Sequence, residues 1–190
     1  MVGVVDQRPP VGVRIIAGSR KGARIFAPKN QTRPTGDRVR EAAFNLIGPV
    51  EDMSVLDLFA GSGAMGLEAL SRGAASAVFI ESDREAQRAI ERNLEKLELI
   101  GARIVKSDAR RALAAEASAG SRYDLVLVDP PYRMFDSLQP TLAAYLPAVL
   151  AEDGLVVVET DKRTQPELPP LAERTSRAYG SARLTVFEHA

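Results

Sequence analysis

The chain has 190 residues, 45% apolar and 26% charged, so we expect one globular domain with a sizeable core, with or without a short appendage. No apolar run approaches the ~18 residues of a membrane-spanning helix, and the N-terminus lacks a signal-peptide pattern, so a cytoplasmic protein is expected. Cysteine is absent and the one histidine, His189, is the penultimate residue, which excludes disulfides, cysteine-ligated zinc, thiol nucleophiles and histidine-based triads or metal clusters.

Charge is unevenly distributed, although the formal net charge at pH 7 is zero. Residues 1–40 contain nine basic and two acidic side chains, a balance of +7, so the remaining 150 residues carry −7. Two β-rich runs in this region, on either side of "SRKG", predict a hairpin with cations at its tip. The asymmetry favours a basic surface for a polyanion, but a solvated basic tail explains the charge equally well.

The next stretch, "RPTGDRVREAAFNLIGP", predicts a helix. Thr35 is the expected N-cap, and Gly48 with the proline after it should end the helix. Val39, Ala43 and Leu46 recur at helical spacing and form the expected apolar stripe. We therefore expect this helix to cover part of the core.

Strands and helices alternate from Ser54 onward. The predicted strands are "SVLDLFA", "SAVFIES", "ARIVKSD", "YDLVLVD" and "GLVVVET". Ser82 and Glu85 form a capping-box pattern before the second helix of this alternation. The segments "ERTSRAYG" and "ARLTVFEH" then predict a closing antiparallel pair. The expected fold class is α/β, a Rossmann-like seven-stranded and mostly parallel sheet with helices on both faces, plus the N-terminal basic β-hairpin extension.

The first four predicted strands each end in or beside an acid. These acids are Asp57, Glu81, Asp108 and Asp129. Ligands of an open α/β sheet bind at the carboxyl ends of the strands, near the point where the strand order reverses. A single acid is often only a helix cap, and Asp83 fits that simpler interpretation. Four acids in order, one for each strand, indicate a ligand site.

The turn after the first strand contains G-x-G-x-x-G at Gly61, Gly63 and Gly66. This pattern alone serves several nucleotide cofactors. Asp57 discriminates between them, because a carboxylate beside a pyrophosphate would be repulsive, whereas S-adenosylmethionine offers an ammonium and a sulfonium instead. Glu81 fits an acceptor for the ribose diol in either class, and Asp108 fits an acceptor for an adenine amino group.

These motifs resemble those of class I S-adenosylmethionine-dependent amino methyltransferases: "VLDLFAGSGAMGLEAL", "FIESD", "KSDA" and "DPPY". More narrowly, "RIIAGSRKGARIF", "RPTGDRVREAAFN", "LDLFAGSGAMGLEALSRGA" and "DLVLVDPPY" resemble the bacterial RsmD-type family, which methylates the exocyclic N2 of a guanine in small-subunit (16S) ribosomal RNA. The resemblance runs from about Arg14 to Tyr132. It implies the class I fold, S-adenosyl-L-methionine as cofactor, and 16S ribosomal RNA, free or within the small subunit, as partner of a monomer without a metal.

The resemblance also implies the site residues. The target site would be formed by Asp129, Pro130, Pro131 and Tyr132. The cofactor would lie against Asp57, Ala60, Gly61 and Gly63 at its methionine part, Glu81, Ser82 and Asp83 at its ribose, Asp108 and Ala109 at its adenine, and Thr35 and Arg38 at its carboxylate end. On this interpretation residues 1–33 contact RNA and residues 34–190 form the methyltransferase domain. The expected RNA contacts are Arg14, Arg20, Lys21, Arg24, Lys29 and Arg33.

The target tetrapeptide also suits the chemistry without the family. An aromatic amine is a poor nucleophile, and a carboxylate with a proline carbonyl can accept its two N–H groups and stabilise the charge that develops during methyl transfer. Prolines stiffen the turn and offer no competing N–H, and Tyr132 provides a stacking face for a flipped base. The simpler interpretation is a strand-ending turn, since Asp and Pro favour turns.

Other functions remain open at this point. One is methylation of another planar amine or amide, such as adenine N6 in DNA or a protein glutamine. Another is a non-catalytic RNA-binding or cofactor-sensing module that keeps the pocket without turnover. A nicotinamide oxidoreductase is disfavoured by Asp57. Absence of cysteine argues against methylation at pyrimidine C5, which typically needs a cysteine adduct.

Overall fold

A computed structural model describes residues 13–28 and 36–190. The helices are α1 (Asp37–Ile47), α2 (Ala64–Ser71), α3 (Arg84–Leu97), α4 (Ala109–Ser118) and α5 (Phe135–Val149). The strands are β1 (Ser54–Asp57), β2 (Ser76–Glu81), β3 (Ala102–Lys106), β4 (Tyr123–Val128), β5 (Leu150–Asp161), β6 (Ala172–Tyr179) and β7 (Ala182–Glu188). Within those two ranges, no helix combines the length and the apolar character needed to span a membrane.

The described strands form one sheet of seven, in the order β3-β2-β1-β4-β5-β7-β6. The strands β3, β2, β1, β4 and β5 are parallel to one another, whereas β7 is antiparallel to β5 and β6 is antiparallel to β7. This confirms the predicted α/β fold with its closing antiparallel pair. The chain runs outward from β1 to β3 and then returns to β4, so the strand order reverses between β1 and β4, which is where an open α/β sheet binds its ligand.

The alternation of side chains along each central strand divides the interior into two cores. Val55, Leu125 and Val157 face the core that contains the buried residues of α1, α2 and α3. Their sequence neighbours, such as Val126, face the second core, which contains the buried residues of α4 and α5. Both faces of the parallel strands are therefore buried, which explains why these strands read as continuous apolar runs.

Helix α1 buries a different stripe from the predicted one. Ala43 is buried as expected, but the other large buried side chains include Arg40 and Phe44, whereas Val39 and Leu46 are only partly buried. The prediction counted apolar residues alone, and it therefore could not include an arginine that is buried because it has acidic partners.

Two predicted helix caps are wrong or displaced. Gly36 occupies the N-cap position of α1, and Thr35, which was expected there, lies outside the described residues. Asp83, rather than Ser82, caps α3, since its carboxylate accepts a hydrogen bond from the Ala86 N–H at 2.8 Å. The strand ends at Glu81, so the chain turns into the helix one residue later than the capping-box pattern indicated.

Residues 13–28 pack against the body of the domain. One isolated antiparallel bridge joins Arg14 and Arg24, and the side chains of Ile15 and Ile25 are buried in the core beneath the first three helices. The predicted hairpin extension is therefore not confirmed: the two runs do meet, but they form no regular strands and they contribute to the core of the domain.

Candidate active site

Four acidic side chains lie at or near the carboxyl ends of four neighbouring strands of the sheet. They are Glu81 on β2, Asp57 on β1, Asp129 after β4 and Glu159 on β5. Side chains alternate along a strand, and Leu127 and Val157, two residues before Asp129 and Glu159, both face the core beneath α2 and α3. The register pairs Leu127 with Val157 and continues to the end of β4, so these two acids follow equivalent points of adjacent strands on the same face.

Asp57 is the second of the four acids in this row and is 2% exposed. Its Oδ2 accepts a hydrogen bond from the Gly66 N–H at 3.0 Å. Burial, together with the nearby charges of Asp129 and Glu81, raises the pKa of the Asp57 carboxyl from 3.8 to about 7. A bound cation would offset both causes, so the position favours a positively charged ligand group.

Glu81 stabilises the glycine turn that follows β1. Its Oε2 accepts from the Gly61 N–H at 2.8 Å, and its Oε1 accepts from the Asp83 N–H at 2.8 Å. A carboxylate that bridges the first two turns of the alternation has lone pairs left for ligand hydroxyl groups. The contact of Glu81 with the ribose therefore remains a prediction. In the structure, Glu81 also stabilises the two turns by accepting these backbone hydrogen bonds.

Two glycines of the G-x-G-x-x-G motif, one in the turn and one in α2, are required by the geometry. Gly63 has a positive φ of 81°, which a side chain rarely adopts. A Cβ at Gly66 would lie 2.4 Å from the ring of Phe79, so helix α2 packs on β2 only because this residue has no side chain. The turn therefore brings backbone N–H groups and the start of α2 close to Asp57.

Asp83 and Asp108 both act as helix caps. The Oδ1 atom of Asp108 accepts from the N–H groups of Arg110 and Arg111 at 2.9 and 3.3 Å, and Asp83 caps α3 as described above. The simpler interpretation of Asp83 agrees with this geometry. Each carboxylate keeps a second oxygen, so contacts with ribose or adenine remain predictions for both residues.

The target tetrapeptide forms a turn at the carboxyl end of β4. Tyr132 begins a short 3₁₀ turn and is 39% exposed, and its hydroxyl donates to Oε1 of Glu159 at 3.1 Å. The carbonyl of Pro131 accepts from the Met134 N–H at 2.8 Å. Since that carbonyl is engaged within the turn, the carbonyl of Pro130 is the better candidate for a substrate contact.

The remaining predicted cofactor residues are spread around this centre. Ala60, at the start of the glycine turn, and Ala109, at the start of α4, are both buried. Ser82 and Arg38 are exposed, the latter on the first turn of α1. Thr35 lies outside the described residues.

The predicted RNA-binding cations of residues 13–28 differ in how they are used. Lys21 and Arg24 are exposed, and Arg14 is paired with Asp37 at 3.0 Å. The guanidinium of Arg20 donates to the carbonyl of Leu97 at the end of α3. This arginine therefore has a structural role in joining the N-terminal segment to α3. Two more of the predicted contacts, Lys29 and Arg33, lie outside the described residues, as does the predicted domain boundary between positions 33 and 34.

Glu159 was missed in the sequence analysis, which stopped at the fourth strand. The signal was present, because "GLVVVET" is an apolar run that ends in an acid, as the earlier strands do. Only the sheet order shows that β5 is the direct neighbour of β4. The site therefore has one more acid than the motifs indicated.

Comparison with known proteins extends over nearly all of the described chain. The family described as Conserved hypothetical protein 95 matches residues 13–188. The Escherichia coli K12 protein named Ribosomal RNA small subunit methyltransferase D is 43% identical over 152 residues, which cover 78% of this chain and 75% of that protein. The Bacillus subtilis 168 protein YlbH is 38% identical over 185 residues, which cover 93% of this chain and 98% of that protein. The solved structure of Escherichia coli yhhF has a TM-score of 0.81 and 36% identity, covering 93% of this chain and 97% of that one.

Proposed function

The chain belongs to the Conserved hypothetical protein 95 family, and we propose that it transfers a methyl group from S-adenosylmethionine to the exocyclic N2 of a guanine in 16S ribosomal RNA. It is an S-adenosylmethionine-dependent rRNA methyltransferase with a class I methyltransferase fold. The choice of guanine N2 is supported by the chemistry of the DPPY turn and by the small-subunit enzyme to which the chain is similar.

One observation carries the proposal: a buried carboxylate that favours a cation lies on the strand next to the DPPY turn. Asp57 ends β1, and β1 pairs directly with β4, which leads to Asp129. The two acids are close enough for the charge of one to raise the pKa of the other. A methyl donor with positive charge at Asp57 and an amine at Asp129 would therefore lie side by side at the switch point of the sheet.

The residues fit the cofactor. Asp57 offers negative charge to the ammonium and sulfonium, the turn of Gly61 and Gly63 allows close approach of the backbone, and Glu81 and Asp108 offer carboxylate oxygens to the ribose and the adenine. When bound, S-adenosylmethionine supplies an electrophilic methyl group on a sulfonium.

Asp129 and Pro130 prepare the amine. The carboxylate and the carbonyl accept its two N–H groups, which directs the nitrogen lone pair away from the conjugated ring and stabilises the positive charge that develops on nitrogen. No base with a pKa near neutrality is needed, since the proton can leave after methyl transfer. Tyr132, which is 39% exposed, stacks on the extruded base, a contact worth about 1–3 kcal/mol.

RNA is the substrate class of this enzyme. We propose that the enzyme acts as a monomer on 16S RNA that is being assembled, or is already assembled, into the small subunit, in the cytoplasm where that RNA is found. Exposed cations of residues 13–28, together with Lys29 and Arg33, would hold the RNA phosphates.

Labelled methyl transfer tests this function. Small subunits that lack the modification, free 16S RNA, duplex DNA and total protein are each incubated with the enzyme and S-adenosylmethionine carrying a labelled methyl group. We expect label in the ribosomal RNA and none in the DNA or protein. Label only in DNA or only in protein would overturn the substrate assignment, and binding of RNA without any transfer would favour a non-catalytic module.

A further inference from the structure

One side-chain hydrogen bond joins the first turns of α4 and α5. Nη2 of Arg110 donates to Oγ of Ser137 at 2.9 Å. Arg110 belongs to the helix that follows β3 and Ser137 to the helix that follows β4, and in the sheet these two strands are separated by β2 and β1. The bond therefore connects the segments on either side of the two strands that carry Glu81 and Asp57.

On the α4 side, the position of Arg110 depends on Asp108. Oδ1 of Asp108 accepts from the backbone N–H groups of Arg110 and Arg111 at 2.9 and 3.3 Å, so this carboxylate holds the first turn of the helix. Asp108 is also the residue proposed to accept the adenine amino group. A ligand that fixes Asp108 would therefore also fix the turn from which the side chain of Arg110 extends.

On the α5 side, the hydrogen bonds continue into the DPPY turn. Oγ of Ser137 donates to the carbonyl of Met134 at 2.9 Å, and the Met134 N–H donates to the carbonyl of Pro131 at 2.8 Å. A hydroxyl can accept one hydrogen bond while it donates another, so a continuous series of bonds runs from Arg110 to this turn. The series ends on the carbonyl whose engagement leaves the carbonyl of Pro130 for the substrate.

The turn is sensitive to such bonds because the core contributes little to it. The 3₁₀ turn Tyr132–Met134 contains no buried residue, so hydrogen bonds rather than apolar packing determine much of its conformation. A displacement of about 1 Å at a reacting centre can cost about 100-fold in rate. A side chain that fixes this turn can therefore affect methyl transfer without contacting the substrate.

We propose that Arg110 is a positioning residue that couples cofactor binding to the arrangement of the DPPY turn. When the adenine is held at Asp108, the first turn of α4 is fixed, and Arg110 acts through Ser137 to hold the DPPY turn in the arrangement that accepts the amine. This role rests on the proposed function, since it takes Asp108 as an adenine contact and the DPPY turn as the target site. Coupling between two binding sites is reciprocal, so bound RNA should tighten the binding of the cofactor by the same factor.

Binding of S-adenosylhomocysteine measures this coupling without turnover. Equilibrium dialysis with the labelled ligand gives its Kd for the wild-type enzyme alone and with saturating small subunits that lack the modification. Coupling between two sites typically changes an affinity by a factor of about 5–150. We therefore expect the wild-type Kd to be at least about fivefold lower when the subunits are present.

Substitutions assign the coupling to this hydrogen bond. Arg110→Ala and Ser137→Ala should each reduce the ratio of the two Kd values to below about two. Each should also lower kcat about tenfold, because the turn is less well positioned, while the Kd for S-adenosylhomocysteine without subunits stays close to that of the wild type. Arg111→Ala, at the adjacent exposed position, is the matched control and should keep the wild-type ratio and kcat. Thermal unfolding shows whether each variant is folded.

Two outcomes would show that Arg110 does not couple the two parts of the site. One is a wild-type Kd that is the same with and without subunits, a result that needs no variant and therefore also covers the case that a variant does not fold. The other is a wild-type ratio in folded Arg110→Ala or Ser137→Ala, since the bond would then only stabilise the contact between two helices.

A third outcome would assign Arg110 to the RNA. If Arg110→Ala reduces the magnitude of the salt slope of RNA binding by about 0.7–0.9 and leaves the ratio of Kd values unchanged, Arg110 is a phosphate contact and the proposed coupling is wrong. Loss of methyl transfer in Asp129→Ala together with wild-type coupling in Arg110→Ala would refute the coupling alone. If the wild-type enzyme transfers no methyl group to ribosomal RNA, the proposed function fails and the coupling role fails with it.

Discussion

The amide of Asn93, buried on α3, donates a hydrogen bond to the carbonyl of Ser62 with a donor–acceptor distance of 3.0 Å. Ser62 lies between the two glycines of the cofactor turn. The same amide donates to the carbonyl of Phe26 at 2.9 Å, and its oxygen accepts from the Phe26 N–H at 2.7 Å. One side chain therefore joins the N-terminal segment, α3 and the glycine turn into a single unit.

We expect Asn93→Ala to weaken both the fold and the binding of the cofactor. It leaves three backbone groups of Phe26 and Ser62 without this partner, at about 1–3 kcal/mol for each group that stays buried. The free energy of unfolding should fall by about 3 kcal/mol or more, and the Kd for S-adenosylmethionine should rise several-fold because the glycine turn loses its anchor. Urea denaturation and calorimetric titration measure the two effects. Asn45→Ala, at an exposed position of α1, is the control; equal behaviour of the two variants would contradict this role.

Glu68 is the second anchor of the N-terminal segment. Its carboxylate, buried on α2, accepts from the N–H groups of Ile16 and Ala17 at 2.7 and 2.9 Å. It pairs with Arg72 at 2.7 Å and lies 3.7 Å from Nε of the buried Arg40. Burial lowers the pKa of that arginine, and the carboxylates of Glu68 and Asp37 oppose the shift.

Glu68→Ala should therefore be strongly destabilising. The variant leaves the buried Arg40 with Asp37 but without Glu68, and the N–H groups of Ile16 and Ala17 lose their acceptor. Breaking a buried ion pair in this way costs about 3–5 kcal/mol. The free energy of unfolding from urea titration measures this loss. Glu41→Gln, an exposed acid on α1, should change it by less than about 0.5 kcal/mol. A loss of less than 1 kcal/mol in Glu68→Ala would show that the network does not stabilise the fold.

Asp57 should make stability depend on pH. Its pKa is raised from 3.8 to about 7 in the folded protein, so between those values the folded state holds a proton that the unfolded state has lost. The contribution of this group is fully present below pH 4 and is lost as the pH rises through 7. A difference of about three pKa units corresponds to about 4 kcal/mol.

The variant Asp57→Asn isolates that contribution. The wild-type free energy of unfolding should decline more steeply than that of the variant between pH 4.5 and pH 7.5. In addition, S-adenosylmethionine should bind the wild type more tightly at pH 8 than at pH 6, because a bound cation requires the ionised carboxyl, and this dependence should disappear in the variant. Parallel stability curves for the two proteins would show that Asp57 titrates normally.

The N-terminal cations should divide into two groups. Binding of RNA should weaken as salt rises, so the slope of log K against log salt is negative. Lys21→Ala and Arg24→Ala should each reduce the magnitude of this slope by about 0.7–0.9, since each removes one phosphate contact. Arg20→Ala should instead lower the free energy of unfolding by about 1–3 kcal/mol, because its guanidinium binds the end of α3. Deleting residues 1–33 is not a clean test, since the deletion would remove Ile15 and Ile25 from the core.

Arg163→Ala, at an exposed position beyond β5, is the control for the RNA measurement and should leave the slope unchanged. If Lys21→Ala and Arg24→Ala behave like this control, the basic segment is only a solvated surface and RNA is held elsewhere.

The architecture was predictable because its signals are local. Apolar runs, glycine turns and helix caps recur along the chain, and each strand that leads to the site ends in an acid, so the parallel sheet and the positions of Asp57, Glu81 and Asp129 followed from the sequence. The turn formed by DPPY was also predictable, because Asp and Pro favour turns and the tetrapeptide directly follows an apolar run.

The buried polar residues could not be predicted in the same way. Arg40, Glu68 and Asn93 occupy helix positions that a periodic pattern assigns to solvent or leaves undecided, and they are buried only because partners from distant parts of the chain satisfy them. The position of Glu159 beside the DPPY turn likewise follows only from the sheet order, which brings β5 next to β4. These residues depend on pairings between segments, and hydrophobic spacing carries no information about such pairings.

We propose that the acid of the DPPY turn directs methylation to guanine N2 in ribosomal RNA. Mass spectrometry of the nucleosides from small subunits treated with wild-type enzyme and with Asp129→Ala tests it most directly. We expect N2-methylguanosine with the wild type and an appearance about 100-fold or more slower with the variant, whose binding of S-adenosylmethionine should be retained. N6-methyladenosine as the product, or an unchanged rate in Asp129→Ala, would contradict it.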